Sequence, residues 1–213
     1  MGRSASIIGS FAVALLLVAT TFGSCSDNPN KDVSCIMPAN CTLHIGDVVL
    51  RRGSGLTSRT VLALDKKGEY SHVGIVVDSA GVKMVVHAVP DEPDYEGDPD
   101  RVKMDTPEQF FSSVYAQTGE VCRYKDSLAA RKAAAAALDV YHRHTLFDHA
   151  YDDNDTTRMY CTELVVHAYH RAGVELVGTE RHHVDIPFLK MDCMFPSDVL
   201  ESEQLESKYK FSL

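Results

Sequence analysis

Apolar positions recur along this chain with two different periods. "YSHVGIVV" (70–77) and "VKMVVHAV" (82–89) are rich in Val and Ile and flank the turn cluster "DSAG", which predicts two antiparallel strands joined by a hairpin. "DVVLRR" (47–52), entered through Gly46, and "EVCRY" (120–124) predict two further strands, and "HVDIPFLKMD" (183–192) a last one. The period then changes. In "RMYCTELVVHAYHRAG" (158–173), Cys161, Leu164, Val165, Ala168 and Ala172 recur at i, i+3, i+4, i+7 and i+11, one face of a helix. Gly173 is a natural C-terminal stop for it, and His167, His170 and Arg171 fall toward solvent. An alanine run predicts a helix from Ser127 to His142 with Ser127 as its N-cap. "TSRTVLALD" (57–65) reads as a short helix capped by Thr57 or Ser58, and "PSDVLESEQLES" (196–207) as the start of a C-terminal helix. "DEPDYEGDPD" (91–100) is a surface loop. The sum is an α+β domain: a small antiparallel sheet or barrel packed against helices.

The first two dozen residues do not belong to that domain. Arg3 precedes an apolar run too short to span a bilayer comfortably, and the run ends in Gly23-Ser24 before Cys25. This is the pattern of a secretory signal over residues 1–24. Cys25 after two small residues also fits a bacterial lipidation site, with Phe22 where that pattern usually has Leu. The polar segment that follows reads as a tether, so residues 25–42 form a lipidated, flexible link to a domain of residues 43–213. The expected location is exported, periplasmic or cell-surface, anchored to a bacterial membrane through Cys25.

Charge narrows the partners. The formal net charge is −9, and removal of residues 1–24 takes away only Arg3, which moves the chain to −10. Such a surface does not attract nucleic acid or anionic membranes. Six cysteines are present: Cys25, Cys35, Cys41, Cys122, Cys161 and Cys193. In an oxidising compartment they can pair. If Cys25 is lipidated or cleaved off, five remain and at least one stays free. Cys35 with Cys41 and Cys122 with Cys193 are possible pairs, which leaves Cys161; sequence alone does not fix the connectivity.

Cys161 sits in the first turn of its helix, where free N–H groups and the positive end of the helix dipole are expected to lower its pKa. The same N–H groups suit an oxyanion. On the strands, a four-residue loop over 78–81 sets Val77 opposite Val82 and His72 opposite His87, on one sheet face. One imidazole can then act as base while the other orients it. Gly74 shares that face and leaves room for a helix to approach. A thiol and an imidazole facing each other at a helix–sheet boundary are what a covalent thiol hydrolase needs.

The ordered combination "GDVVLRRGSG…YSHVGIVV…VVHA…YCTELVVHAY" resembles the circularly permuted NlpC/P60 cysteine hydrolases of the papain-like superfamily, in their YiiX/YebB-like branch, from about residue 45 to 197. The resemblance implies a permuted papain-like fold with the nucleophile at a helix N-terminus. It implies Cys161 as nucleophile, His72 as general base and His87 as the residue that orients it. Tyr160 and Glu163 match the family pattern beside the nucleophile and are candidates for substrate binding. Where many relatives carry a Tyr-Asp pair upstream, this chain has Phe147-Asp148 in "LFDHAYDD" (146–153). Tyr151 or Tyr160 then substitutes, or backbone donors serve the oxyanion.

Three functions follow as alternatives. The first is an exported amidase or peptidase acting on small amides such as cell-wall peptide fragments. The second is a lipid-directed acyltransferase or phospholipase on the same fold, which a wide apolar groove beside Cys161 would favour. The third is a catalytically silent binding lipoprotein. No cofactor is implied. His142/His144 and His167/His170 are close pairs, but no H-E-x-x-H or paired C-x-x-C motif exists, and no metal ligands are assigned.

Overall fold

The computed structural model describes residues 34–186 and 189–213, all within the unit Asp32–Leu213. The signal segment, Cys25 and residues 26–33 lie outside the described residues. In chain order the elements are β1 (Val48–Arg52), α1 (Leu56–Leu64), β2 (His72–Ser79), β3 (Val82–Val89), β4 (Arg101–Asp105), α2 (Pro107–Phe110) and β5 (Thr118–Tyr124). There follow α3 (Ser127–His142), β6 (Leu146–Phe147), β7 (Arg158–Met159), α4 (Cys161–Arg171), β8 (His182–Ile186), β9 (Leu189–Cys193), α5 (Pro196–Leu200) and β10 (Leu205–Ser212). Among the described residues no helix is long and apolar enough to cross a membrane.

The sheet is larger than the sequence led us to expect. Eight strands run in the order β10-β5-β1-β2-β3-β4-β6-β7, antiparallel except for the short β6–β7 pair. It is an open sheet, not a small sheet or barrel. The segment read as one last strand is the separate hairpin β8–β9. The stretch after Pro196 is helical for one short turn only, then becomes edge strand β10, which pairs with β5.

Two apolar layers sandwich the sheet. Val73, Ile75, Val77, Val86 and Ala88 meet Ala133, Ala137, Leu164, Val165 and Ala168 of α3 and α4. Strand alternation sends the other residues to the opposite face, where Val76, Val85 and Val121 pack with Phe110, Phe111 and Ile36. Ile36 is held there by its N–H to the Phe111 carbonyl at 2.9 Å, and Cys35 bridges to Ser112. This part of the stretch read as a tether is docked on the domain.

Local signals explain the helices. α3 is buried through Ala130, Ala133, Ala134 and Ala137, side chains small enough to let it lie close to the sheet. Its N-cap is Asp126, one residue before the expected Ser127. The carboxylate accepts from the N–H groups of Leu128 and Ala129, satisfying two free donors of the first turn. α1 begins after Gly55 with no side-chain cap, so neither Thr57 nor Ser58 caps it. α4 ends as the sequence indicates. Gly173 adopts φ +82°, and the N–H groups of Gly173 and Val174 close onto the carbonyls of His170 and Tyr169.

Candidate active site

The β2–β3 hairpin sets the geometry of the histidines. Its turn has two residues, Ala80 and Gly81, with φ +53° and +86°, closed by the pair Ser79–Val82. The expected loop over 78–81 is therefore two residues too long, both on its N-terminal side: Asp78 and Ser79 belong to β2. Ile75 opposes Val86, so His87 stands beside Gly74 and His72 is diagonal to it. An even shift preserves the face, and the two rings still meet: His72 Nε2 lies 2.8 Å from His87 Nδ1. Gly74 makes room for this contact, not for a helix. A Cβ there would sit 2.8 Å from Val85 Cγ1 and 3.1 Å from His87 Cβ.

The face that carries these rings is the one away from α4. Phe110 of α2 covers both, with ring centroids 5.7 Å from His72 and 5.1 Å from His87. Sequence reasoning had put α4 over them; the alternation of β2 instead gives α4 the Val73 and Ile75 side chains. Two charged neighbours complete the row. Arg51, the register partner of His72, is buried, donates to the Phe110 carbonyl at 2.8 Å and pairs with Glu92. Asp105 on β4 places Oδ2 3.0 Å from His87 Nε2. Lys103 holds the other oxygen of Asp105 at 3.3 Å. Sequence reasoning missed Asp105, which sits in "RVKMD", a stretch given no element.

Burial sets the protonation of this row. His72 is held well below the usual imidazole range by burial first, and then by the Arg51 and His87 charges. His87 is also lowered by burial, against the pull of Asp105. The Asp105 carboxyl stays below the usual range: burial raises it, but His87 and Lys103 outweigh that effect. Two neutral imidazoles and an ionised carboxylate result.

Cys161 reaches the sheet from the other side. Its sulfur is 3.8 Å from the Thr162 hydroxyl, and the N–H groups of Val73, Thr162 and Cys161 itself act to lower its pKa. Val73 follows His72, so the thiol meets β2 one residue from the imidazole. The thiol pKa is raised, not lowered. Burial outweighs the Thr162 hydroxyl and the three N–H groups, which overturns the expectation of a depressed value. All five described cysteines are free; neither Cys35 with Cys41 nor Cys122 with Cys193 forms a disulfide.

Two cavities adjoin the thiol and the imidazole. One, of about 280 Å³, is lined by Cys161, Tyr151, Tyr160, Val61, Met194 and Phe195, among others. The second, of about 250 Å³, is lined by His72, Ser71, Arg51, Glu92 and Tyr115. They share Leu56, Thr57, Pro90 and Asp91, where the Thr57 hydroxyl donates to Asp91 at 2.9 Å.

The sequence neighbours of Cys161 have distinct places. Glu163 is buried and accepts from the Tyr160 N–H at 3.3 Å, capping the helix; burial pushes its pKa up to about 8. Tyr160 lines the first cavity, and its hydroxyl accepts from the Met194 N–H at 3.1 Å. Asp148 accepts from the N–H groups of Ala150 and Asp152. This folds the loop in which Tyr151 takes φ +56° and reaches the cavity wall. Burial pushes the Tyr151 phenol up to about 12.

The chain matches, over residues 42–207, the family of permuted papain-like amidases YaeF/YiiX, C92. It belongs to that family. The family is one of papain-like cysteine amidases, so the protein is a cysteine hydrolase. Among solved structures, the fold is similar to that of metalloprotein YiiX from Escherichia coli O157:H7, with a TM-score of 0.61 and 18% identity. The match covers 78% of this chain and 97% of that one. No curated protein matches the sequence. Among the described residues of this chain, no group of three or more His, Cys, Asp or Glu is disposed to hold a metal ion.

Proposed function

We propose that Cys161 is the nucleophile of this amidase, His72 its general base and His87 the residue that orients His72. The observation that carries the reading is the 2.8 Å contact of His72 Nε2 with His87 Nδ1, which leaves Nδ1 of His72 free, beside a helix whose first residue, Cys161, packs on the layer that holds Val73. His72 Nδ1 takes the thiol proton as sulfur attacks the amide carbon, an encounter that tightens when substrate binds. The C–N bond breaks, His72 returns the proton to the leaving amine, and water resolves the thioester. The N–H groups at the α4 terminus and the Tyr151 hydroxyl are the candidate donors to the oxyanion.

The walls of the Cys161 cavity favour an apolar acyl group. Val61, Leu64, Met191, Met194 and Phe195 are carbon-rich surfaces beside the polar Thr60, Asp91 and His149, while the buried ion pair of Arg51 and Glu92 lines the His72 cavity. Burial of a chain of methylenes there contributes about 0.8 kcal/mol for each. This supports the lipid-directed reading over small polar cell-wall peptides. On the N-terminal sequence alone, we also assign export and a lipid anchor at Cys25, which would bring the site to acyl-bearing substrates. Inhibition of lipoprotein signal processing should then leave a longer precursor; unchanged size would remove the anchor.

The test is a matched series of p-nitroanilides with acetyl, hexanoyl, decanoyl and γ-glutamyl groups, with intact-mass analysis of the trapped enzyme. An acyl adduct on Cys161, lost in Cys161→Ala, is expected, with kcat/KM rising along the aliphatic series. Turnover by Cys161→Ala would refute the nucleophile; preference for γ-glutamyl would restore the peptide reading.

A further inference from the structure

We propose that Asp105, acting through His87, fixes which nitrogen of His72 carries its proton and keeps Nδ1 of His72 open to the thiol. The inference rests on the assignment of Cys161 and His72 as nucleophile and base. Asp105, His87 and His72 lie on one face of three adjacent strands. His87 opposes Lys103 and Val85 opposes Asp105, so His87 and Asp105 are diagonal, as His72 and His87 are. The same two-residue offset is repeated across both strand pairs.

The polarity of the chain follows from donor counting. An ionised carboxylate only accepts, and Lys103 Nζ on Asp105 Oδ1 at 3.3 Å keeps it ionised. The 3.0 Å contact to His87 Nε2 therefore requires the proton on that nitrogen. A neutral imidazole carries one N–H, so His87 Nδ1 is a lone pair. The 2.8 Å contact from His72 Nε2 then requires the proton there. His72, neutral in its turn, is left with an unprotonated Nδ1. Phe110, packed on both rings, resists the ring flips that would undo this order. Without the carboxylate, His87 is free to hold its proton on Nδ1 and donate to His72 Nε2. That moves the His72 proton to Nδ1, where it blocks acceptance from sulfur.

In the reaction, the thiol proton moves to His72 Nδ1 as the S–C bond forms. The imidazolium keeps its Nε2–H on His87, and the Nδ1 proton leaves with the amine as the C–N bond breaks. No net proton reaches Asp105, which makes it a positioning residue.

The experiment uses the full chain labelled with ¹⁵N-histidine. Long-range ¹H–¹⁵N spectra of the wild type should show His72 and His87 both protonated at Nε2; an Nδ1–H on His72 would overturn the proposal without any variant. In folded Asp105→Asn, part of the His72 signal should move to the Nδ1–H form. The kcat should fall by about 10² to 10⁴, with KM changed by less than about threefold. Unchanged kcat in Asp105→Asn, with His72→Ala inactive, would refute the role of Asp105 and leave the base in place. Full activity in His72→Ala would instead remove the base assignment itself.

Discussion

His72 Nε2 and His87 Nδ1 are 2.8 Å apart although the two residues are not directly opposite in the sheet. The contact is diagonal, on the face that α4 does not cover. A two-residue turn with both residues at positive φ sets the offset, and the thiol approaches from the far side at the strand end. The site is therefore assembled around the start of β2, not between a helix and the sheet face beneath it.

Gly74 is the residue that permits the diagonal. Alanine there would press on Val85 and on the His87 Cβ, and overpacking of this kind costs about 1–3 kcal/mol. Gly74→Ala should lower the melting temperature and also reduce kcat, because His87 must shift. Gly178→Ala, where the added Cβ meets nothing within 4 Å, is the control. Thermal melts and steady-state rates of both check this; a Gly74→Ala enzyme with wild-type kcat would contradict it.

In the proposed mechanism Cys161 and His72 rest as thiol and imidazole, not as thiolate and imidazolium. Burial raises the Cys161 pKa and lowers that of His72, so at neutral pH the proton stays on sulfur. Inactivation by iodoacetamide should then accelerate by about tenfold per pH unit from pH 6 up to the raised thiol pKa. A pre-formed ion pair would instead give a flat rate from acidic to neutral pH. The measurement is the pseudo-first-order rate of Cys161 alkylation across that range.

How much of this was legible follows from which forces set each part. α4 and α3 follow from periodicity and alanine content, and the β2 and β3 runs from their Val-rich composition. Strand pairing was not legible to the residue, because Ala80-Gly81 as a two-residue turn and a four-residue loop over 78–81 fit the same letters. Asp105 was hidden for a different reason. Its strand reads Arg-Val-Lys-Met-Asp, with charges on the face that is buried; their partners are His87 on β3 for Asp105 and Asp94 and Asp98 of the preceding loop for Lys103 and Arg101. Pro196 and Ser197 mark a helix entry, but that helix ends at Leu200, and the charged Glu206, Lys208 and Lys210 are of the kind an edge strand such as β10 tolerates. The thiol pKa was misread because the helix end is visible in sequence and the burial that outweighs it is not.

Glu163 carries a stability cost that depends on pH. Its folded pKa is about 8 because of burial, above the unfolded value of about 4.3. The folded form thus binds the proton more tightly, and stability declines as pH rises from the unfolded value toward 8. Glu163→Gln keeps an acceptor for the Tyr160 N–H without the buried charge. It should match wild type near pH 4 and exceed it at pH 8 by on the order of 2 kcal/mol, or about 5 °C in melting temperature. Melts at the two pH values test this, and equal stability at pH 8 would contradict it.

Two tyrosines line the thiol cavity, and removing a hydroxyl from each should have opposite signatures. The Tyr160 hydroxyl accepts from the buried Met194 backbone, so Tyr160→Phe leaves that N–H without its partner. It should cost about 1–3 kcal/mol of stability and leave kcat within a few-fold. Tyr151 reaches the cavity from a loop folded by Asp148, and its φ of +56° is a strained conformation of the kind found at functional sites. Its phenol, protonated at neutral pH like any tyrosine, is carried further from ionisation by burial, so it remains a donor. Tyr151→Phe should keep the melting temperature and reduce kcat by about 10² to 10³, the effect of losing one oxyanion donor. Paired melts and kcat values of the two variants decide the matter: a Tyr151→Phe enzyme with full kcat would return the oxyanion to the backbone N–H groups at the start of α4.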